Sequence, residues 1–278
     1  MPQNIRFTLQ YDGTDYHGWQ FQPNVITVQE VVQKTLQRVV GHPVRLVGAG
    51  RTDAGVHAWG QVANFHTENP IPPEKLKKAM NALLPPAIRV LALDQAAPDF
   101  NSLGLARSKT YRYFVFRRLE PSPWIFRYSW HLVCNLDVPA MTAAAQFLVG
   151  RHDFSAFRAS DCNAKTSVRS LENFRIWNKK NLLIFEVTAG GFLKYMVRNM
   201  VGTLIEVGKG RFRPEQVKTI LESRDRKKAG PNIPPRGLFL WRVDYPPSQK
   251  ATGLPVDECS WAGNPPKLPT SPRLRRTG

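Results

Sequence analysis

Cysteine is scarce in this chain of 278 residues, which has only Cys134, Cys162 and Cys259, far apart from one another. An odd number of widely spaced cysteines fits neither a disulfide framework nor a zinc ribbon. Among the six histidines, no two lie at the three- to five-residue spacing that is typical of a local metal site. The sequence therefore predicts a protein of a reducing compartment that holds no metal.

Long hydrophobic runs are also missing from the sequence. No stretch is apolar enough to span a bilayer, and no long helix is basic on one face and apolar on the other. Residues 1–4 lead directly into the strand-like residues 5–9, without the basic region and apolar segment of an export signal. We therefore expect a cytoplasmic protein with no membrane partner.

Acidic residues are few: the chain has 21 aspartates and glutamates against 39 lysines and arginines, which gives a net charge of +18 and a pI near 10.2. Residues 246–278 hold five basic and two acidic residues, so the preceding 245 residues still carry +15. A folded body this basic indicates a polyanionic partner, and nucleic acid is the first candidate. Binding of this kind weakens steeply with salt.

The hydrophobic content of 42% is sufficient for a substantial core, which we divide into two domains at residues 1–105 and 106–245. Residues 246–278 follow as a tail with seven prolines and a basic end at Arg273, Arg275 and Arg276. This composition predicts a disordered segment, to which we assign no function.

The hydrophobic periodicity of the first domain follows a β-α-β-β-α-β order. A capping box of Thr27 and Glu30 opens its first helix, and Gly41 ends it. This order is that of the ferredoxin-like split unit, in which two helices cover one face of an antiparallel sheet and leave the other free for RNA. The predicted strands are residues 5–11, 44–47, 61–65 and 88–93, and the helices are residues 28–40 and 72–84.

The second domain repeats this pattern loosely. The fold class is therefore α+β, with two ferredoxin-like, RRM-like units and mixed, mainly antiparallel sheets. The predicted strands are residues 110–116, 171–177 and 182–188, and the helices are residues 139–149 and 191–207.

Arg198 lies at the border of the apolar stripe of the last long helix. A half-buried arginine there needs a carboxylate or a phosphate, because burying an unpaired charge is costly. The alternative is that the side chain extends along the apolar surface to solvent.

A glycine-framed turn between two predicted strands is the strongest candidate site. It carries a single carboxylate, Asp53, between Gly50 and Gly55, with Arg51 close by. Catalytic groups concentrate on such loops, and Arg51 can hold a carboxylate ionised or bind a phosphate. The alternative is structural, since aspartate in a glycine-rich turn often binds the backbone two residues on.

Tyr111 alternates with Arg112 and Tyr113 on a predicted strand, just after a basic stretch. Its ring is of the type that stacks on bases, although tyrosine in a strand also packs for its own sake. His152, Asp153 and Ser155 do not form a catalytic triad, because neighbours in sequence do not have triad geometry and no glycine-framed serine is present.

Several separated blocks together resemble the tRNA pseudouridine synthases of the TruA type. The similarity covers roughly residues 4–245, and the blocks occur in the order found in that family. They are Gly50-Arg51-Thr52-Asp53-Ala54-Gly55-Val56-His57-Ala58, Tyr11-Asp12-Gly13 with His17-Gly18-Trp19-Gln20, Arg107-Ser108-Lys109-Thr110-Tyr111-Arg112-Tyr113, His152-Asp153-Phe154, Met196-Val197-Arg198-Asn199-Met200-Val201-Gly202 and Pro234-Pro235-Arg236-Gly237-Leu238.

The resemblance implies an enzyme that needs no cofactor and converts uridine to pseudouridine at positions 38, 39 and 40 of the tRNA anticodon arm. It places Asp53 at the nucleophile, which attacks C6 of the base or C1′ of the sugar. Tyr111 falls on the residue that packs against the uracil and assists proton removal, and Arg198 on the partner of the aspartate. Arg51 is a further candidate for binding the substrate. The family also implies a homodimer that shares one tRNA.

Two features depart from the family, the tail of residues 246–278 and Ile233, and two rival classes of protein must be weighed. Ile233 stands before Pro234-Pro235, where the family has a small residue. A silent RNA-binding protein would gain nothing from an aspartate that repels phosphates. A two-metal nuclease, a glycosidase or a nucleotide-dependent enzyme would need a carboxylate cluster, paired carboxylates or a glycine-rich strand-to-helix loop. The single carboxylate of the turn favours the synthase.

Overall fold

The computed structural model describes residues 2–247, so most of the predicted tail, residues 248–278, lies outside the described residues. The first half forms the predicted split unit, with strand order β4-β1-β3 and β2 paired to β3, all antiparallel. Its elements are β1 (Gln3–Tyr11), α1 (Val28–Val40), β2 (Val47–Gly48), β3 (His57–Thr67), α2 (Pro73–Leu83) and β4 (Ile88–Ala96).

The second half adds elements to the same plan. Strand order β10-β5-β9-β8 reproduces the neighbours of the first half, with β5 in the place of β1, and β7 extends the edge. The elements are β5 (Ser108–Phe116), β6 (Trp130–His131), α3 (Val138–Gln146), β7 (Gly150–Asp153), β8 (Val168–Lys179), β9 (Leu182–Ala189), α4 (Met196–Gly208), α5 (Gln216–Ser223) and β10 (Leu238–Asp244).

The two halves share one sheet because β10 lies between them. It pairs in parallel with β3, through Phe239 opposite His57, and antiparallel with β5, through Leu240 opposite Tyr111. The sheet is therefore mixed and mainly antiparallel, as predicted. Hydrogen bonds between β10 and β3 cross from one half to the other, so the sheet itself does not divide the chain. The domain boundary between residues 105 and 106 therefore stays a prediction.

The local signals at α1 act as the sequence predicts. The hydroxyl of Thr27 accepts a hydrogen bond of 3.4 Å from the amide of Glu30, and Gly41 ends the helix with a left-handed φ of 80°. The carboxylate of Glu30 binds Lys34 one turn later. These contacts fix the helix that packs beside the candidate site. No helix in residues 2–247 is long and apolar enough to cross a membrane.

Three predicted elements were wrong in detail. Helix α4 begins at Met196 instead of residue 191, because Tyr195 has a φ of 64° that a right-handed helix cannot contain. Helix α3 ends at Gln146 rather than at residue 149, and the strand before the glycine-framed turn is only Val47–Gly48. Every residue of α4 is buried, so the helix has no single apolar stripe, and Arg198 is 9% exposed rather than half-buried.

Candidate active site

The Asp53 loop (residues 49–56) connects β2 to β3, as the sequence predicts. The side chain of Asp53 is 23% exposed and so reaches solvent from a largely buried position. Within residues 2–247 no backbone amide donates to its carboxylate, whose only polar partner is Arg198. The carboxylate of Asp53 is therefore not bound to the backbone of its own turn, which removes the structural alternative.

The segment after β1 fixes the shape of the Asp53 loop. The hydroxyls of Tyr11 and Thr52 share a hydrogen bond of 2.8 Å, and the amide of Trp19 donates to the carbonyl of Thr52 at 3.0 Å. Two glycines permit this close approach: a Cβ atom on Gly13 would lie 2.0 Å from the carbonyl oxygen of Val56, and one on Gly18 would lie 2.4 Å from that of Thr52. The residues on both sides of Asp53 are thus held by backbone contacts.

His57 links this loop to the second half of the chain. The amide of Gly13 donates to its Nδ1 at 3.0 Å, and its Nε2 lies 3.0 Å from the carbonyl oxygen of Arg127 and 3.1 Å from that of Arg236. Because carbonyl oxygens only accept, Nε2 carries a proton, and Nδ1 also lies 3.2 Å from a carboxylate oxygen of Asp12. The ring is fully buried and stacks on Phe239. His57 belongs to the family motif in the sequence, but no role for it can be predicted from the sequence alone.

Arg198 of α4 reaches Asp53 from the other half of the molecule. Its Nη1 lies 3.7 Å from Oδ2 of Asp53, and its Nε donates to the carbonyl of Ile233 at 2.7 Å. The guanidinium also lies over the ring of Tyr195, 4.8 Å from the centroid. The predicted carboxylate partner is therefore present. Ile233 contributes its backbone oxygen, so this contact does not depend on the departure from the family in its side chain.

The pKa of the Asp53 carboxyl is raised above its ordinary value. Burial is the largest cause, and the charges of Arg198 and Lys194 oppose it without cancelling it. The sequence predicts that a neighbouring cation holds this carboxyl ionised, and the nearby cations do lower its pKa. The net direction is nevertheless upward, because the sequence does not reveal how far the carboxyl is desolvated. Lys194, which the sequence analysis missed, lies in the aromatic and basic run of residues 192–195 before α4.

Tyr111 lies on β5 next to the Asp53 loop and is only 6% exposed. Its hydroxyl is 3.5 Å from the carbonyl oxygen of Arg51, and its ring meets the edge of Phe192 at 5.0 Å. Burial and the nearby charge of Asp53 raise the pKa of Tyr111 far above its ordinary value. The phenol is therefore protonated at neutral pH. Tyr111 can contact a ligand with its ring and its hydroxyl, but it does not supply a phenolate base.

Arg51 has a different place from Arg198, although both were candidate partners of the carboxylate. Its side chain is exposed and forms no ion pair within the part of the chain that the structure describes. His152, Asp153 and Ser155 form a local turn: Asp153 accepts from the hydroxyl of Ser155 at 2.7 Å, while His152 contacts the carbonyl of Val149. Residues 2–247 contain no group of three metal-ligating side chains.

Comparison with known proteins gives the family of the chain. The family profile described as "tRNA pseudouridine synthase" matches residues 8–101 and 144–246. The chain belongs to the tRNA pseudouridine synthase family. A tRNA pseudouridine synthase A from Pelobacter propionicus is 47% identical over 243 residues, which cover 87% of this chain and 100% of that protein. The tRNA pseudouridine synthases A from Geobacter sulfurreducens and Thermoanaerobacter sp. (strain X514) are 44% and 43% identical to this chain. Each match covers 87% of this chain and 100% of the relative.

Membership confirms the predicted family, the enzyme class and the α+β fold. Asp53 lies in the first segment that the family profile matches and Arg198 in the second. Tyr111 lies in the part of the chain between the two segments. The structure brings Asp53, Arg198 and Tyr111 together and leaves Arg51 at the exposed edge. The chemical roles of these four residues stay predictions.

The close approach of Gly13 to Val56 can be tested by Gly13→Ala. We expect the free energy of unfolding in urea to fall by about 1–3 kcal/mol, the usual cost of forcing atoms into a packed site. The single-turnover rate should fall as well, because the end of the Asp53 loop must move. Gly104→Ala is the matched control, since its added Cβ would meet its nearest atom at an ordinary 3.6 Å. Equal stability of the two variants would contradict this account of the loop.

Proposed function

We propose that this enzyme converts uridine to pseudouridine at positions 38, 39 and 40 of the tRNA anticodon arm, with Asp53 as the nucleophile. The observation that carries the proposal is the position of Asp53. Its largely buried carboxylate accepts no hydrogen bond from a backbone amide of residues 2–247, reaches solvent and faces the fixed cation of Arg198. A carboxylate whose role was only to stabilise its turn would accept hydrogen bonds from the backbone amides of that turn.

The reaction needs one carboxylate and no cofactor. Asp53 attacks C6 of the uracil or C1′ of the ribose, and the bond between N1 and C1′ breaks. The uracil turns within the site and bonds to C1′ through C5; the proton on C5 leaves, N1 gains a proton, and Asp53 is released. Arg198 supports this sequence because its positive charge stabilises the carboxylate before attack and again when Asp53 is released.

The neighbouring residues are suited to a nucleotide that has left the helix. Extruding a base costs a few kcal/mol, which contacts to the backbone and the base must offset. We assign Tyr111 to packing against the uracil, in keeping with its protonated phenol beside Asp53. The exposed Arg51 suits a contact with the RNA at the mouth of the site.

A tRNA transcript tritiated at C5 of uridine tests the role of Asp53. Wild-type protein should release tritium to water, and Asp53→Asn should slow release by about 10³-fold or more, as when a member of a catalytic unit is removed. Both proteins should bind the transcript with similar salt dependence. Tritium release by Asp53→Asn at the wild-type rate would exclude the nucleophile role, and binding without release by either protein would favour a silent RNA-binding protein.

We also propose that the enzyme acts in the cytoplasm as a homodimer that shares one tRNA. The face of the sheet opposite the helices, which the sequence leads us to expect free for RNA, supports pairing instead, because its aromatic side chains are only half-buried. There Trp59 stacks on Trp241 at 5.4 Å, and the guanidinium of Arg112 lies 4.1 Å from the centroid of Trp241. An aromatic surface of this kind is typical of protein interfaces.

Sedimentation equilibrium tests the homodimer. Wild-type protein should sediment as a dimer, and Trp241→Glu should shift it toward the monomer, because a charge would be buried at the aromatic surface. Trp124→Ser is the control, since Trp124 is 80% exposed and lies outside the sheet. A wild-type monomer at micromolar concentration, or dissociation by Trp124→Ser alone, would contradict the proposed interface.

A further inference from the structure

Lys109 is a lysine beside the active site that the reaction does not use. It lies on β5 two residues before Tyr111, so both side chains point to the same face of the sheet. A Cβ atom on Gly50 would lie 3.5 Å from Cδ and Cε of Lys109 and 3.8 Å from its Nζ. The side chain of Lys109 therefore runs along the start of the Asp53 loop. It is half-buried and forms no ion pair within residues 2–247.

Arg169 brings a second positive charge to the same place. Its Nη1 donates to the carbonyls of Thr166 at 2.9 Å and Val168 at 2.6 Å, which fixes the side chain. Its Nε would lie 3.8 Å from a Cβ atom on Gly191, in the segment that leads to α4. Strand β9 lies between the strands of Lys109 and Arg169, and its residues at this place, Ala189 and the following Gly190, are small. The charge of Arg169 is close enough to act on the Lys109 side chain.

Neither of the two positive charges has a counter-ion among residues 2–247. Burial lowers the pKa of Lys109, and the charge of Arg169 lowers it further. Arg169 also forms no ion pair in the described part of the chain, and the adjacent Arg51 and Arg107 are exposed cations. A desolvated lysine next to an arginine destabilises the folded protein unless an anion joins them. Phosphate suits this place, because an arginine and a lysine can bind its oxygens together.

We propose that Lys109 and Arg169 bind one phosphodiester of the RNA next to the extruded uridine. The proposal rests on the proposed function, because it takes the Asp53 loop as the place where that uridine is bound. Gly50 lies three residues before Asp53 in the chain. A phosphate bound beside Gly50 therefore fixes the RNA backbone on one side of the target uridine. Lys109 and Arg169 are therefore positioning residues that do not touch the reacting atoms.

Salt-dependent binding gives the first test. For Lys109→Gln and for Arg169→Gln, we expect weaker tRNA binding and a slope of log affinity against log salt reduced by about 1, the change for one lost phosphate contact. Lys75→Gln removes an exposed charge from α2 and should change neither quantity. If Lys109 only supports the loop, Lys109→Gln will lower the single-turnover rate at saturating RNA and leave the slope unchanged, which would overturn the proposal.

RNA in which one phosphate is replaced by an uncharged methylphosphonate shows which phosphate Lys109 and Arg169 contact. Anticodon stem-loops with one methylphosphonate at each position in turn remove one negative charge at a time. We expect one position beside the target uridine to weaken binding by wild-type protein and to have no effect on the Lys109→Gln/Arg169→Gln double variant. Equal weakening of both proteins at every position would overturn the proposal. Because binding alone is measured, this result does not depend on whether Asp53 is the nucleophile.

Stability provides an independent readout. Lys109→Met removes the buried charge and should raise the midpoint of thermal unfolding at pH 7. The difference should shrink at high pH, where the wild-type lysine loses its proton, because a lowered pKa destabilises the fold only while the group is charged. A lower midpoint for Lys109→Met at pH 7 would show that the lysine stabilises the empty protein, which contradicts a site that needs an added anion.

Discussion

One ion pair at the proposed active site joins the two halves of the molecule. Asp53 belongs to a loop of the first half and Arg198 to a helix of the second, and 3.7 Å separates Oδ2 from Nη1. Arg198 is held by the carbonyl of Ile233 and the ring of Tyr195, so it presents a fixed charge. Because a buried arginine without a partner is costly, the fold depends on this contact as much as the proposed reaction does.

The rest of the site maintains that pair. Strand β10 closes the sheet between the halves, and His57 binds Gly13, Arg127 and Arg236, which come from three separate parts of the chain. Gly13 and Gly18 let the segment after β1 lie against the Asp53 loop. The family blocks other than His152-Asp153-Phe154 therefore meet in space for a physical reason, because they form a frame around one carboxylate. Burial raises the pKa of that carboxylate, and two cations oppose the rise.

The sequence reveals the local elements better than the contacts between them. Periodicity and the signals at Thr27 and Gly41 predict α1 correctly. The position of Arg198 predicts only a carboxylate or a phosphate partner, and the family resemblance names Asp53 as that partner. The left-handed Tyr195 could not be foreseen, because nothing in the apolar pattern marks a residue with positive φ. The pairing of β10 with β3 and the net direction of the Asp53 pKa depend on long-range packing and burial, which spacing along the chain does not contain.

The pH dependence of the single-turnover rate at saturating RNA tests the central claim most directly. The rate should fall as pH falls through the Asp53 pKa, because a protonated carboxyl is a poor nucleophile. Since the charge of Arg198 lowers that pKa, Arg198→Gln should move the midpoint of the acid limb to higher pH, and Arg198→Lys should move it less. Coincident midpoints in all three proteins would show that Arg198 does not set the ionisation of Asp53.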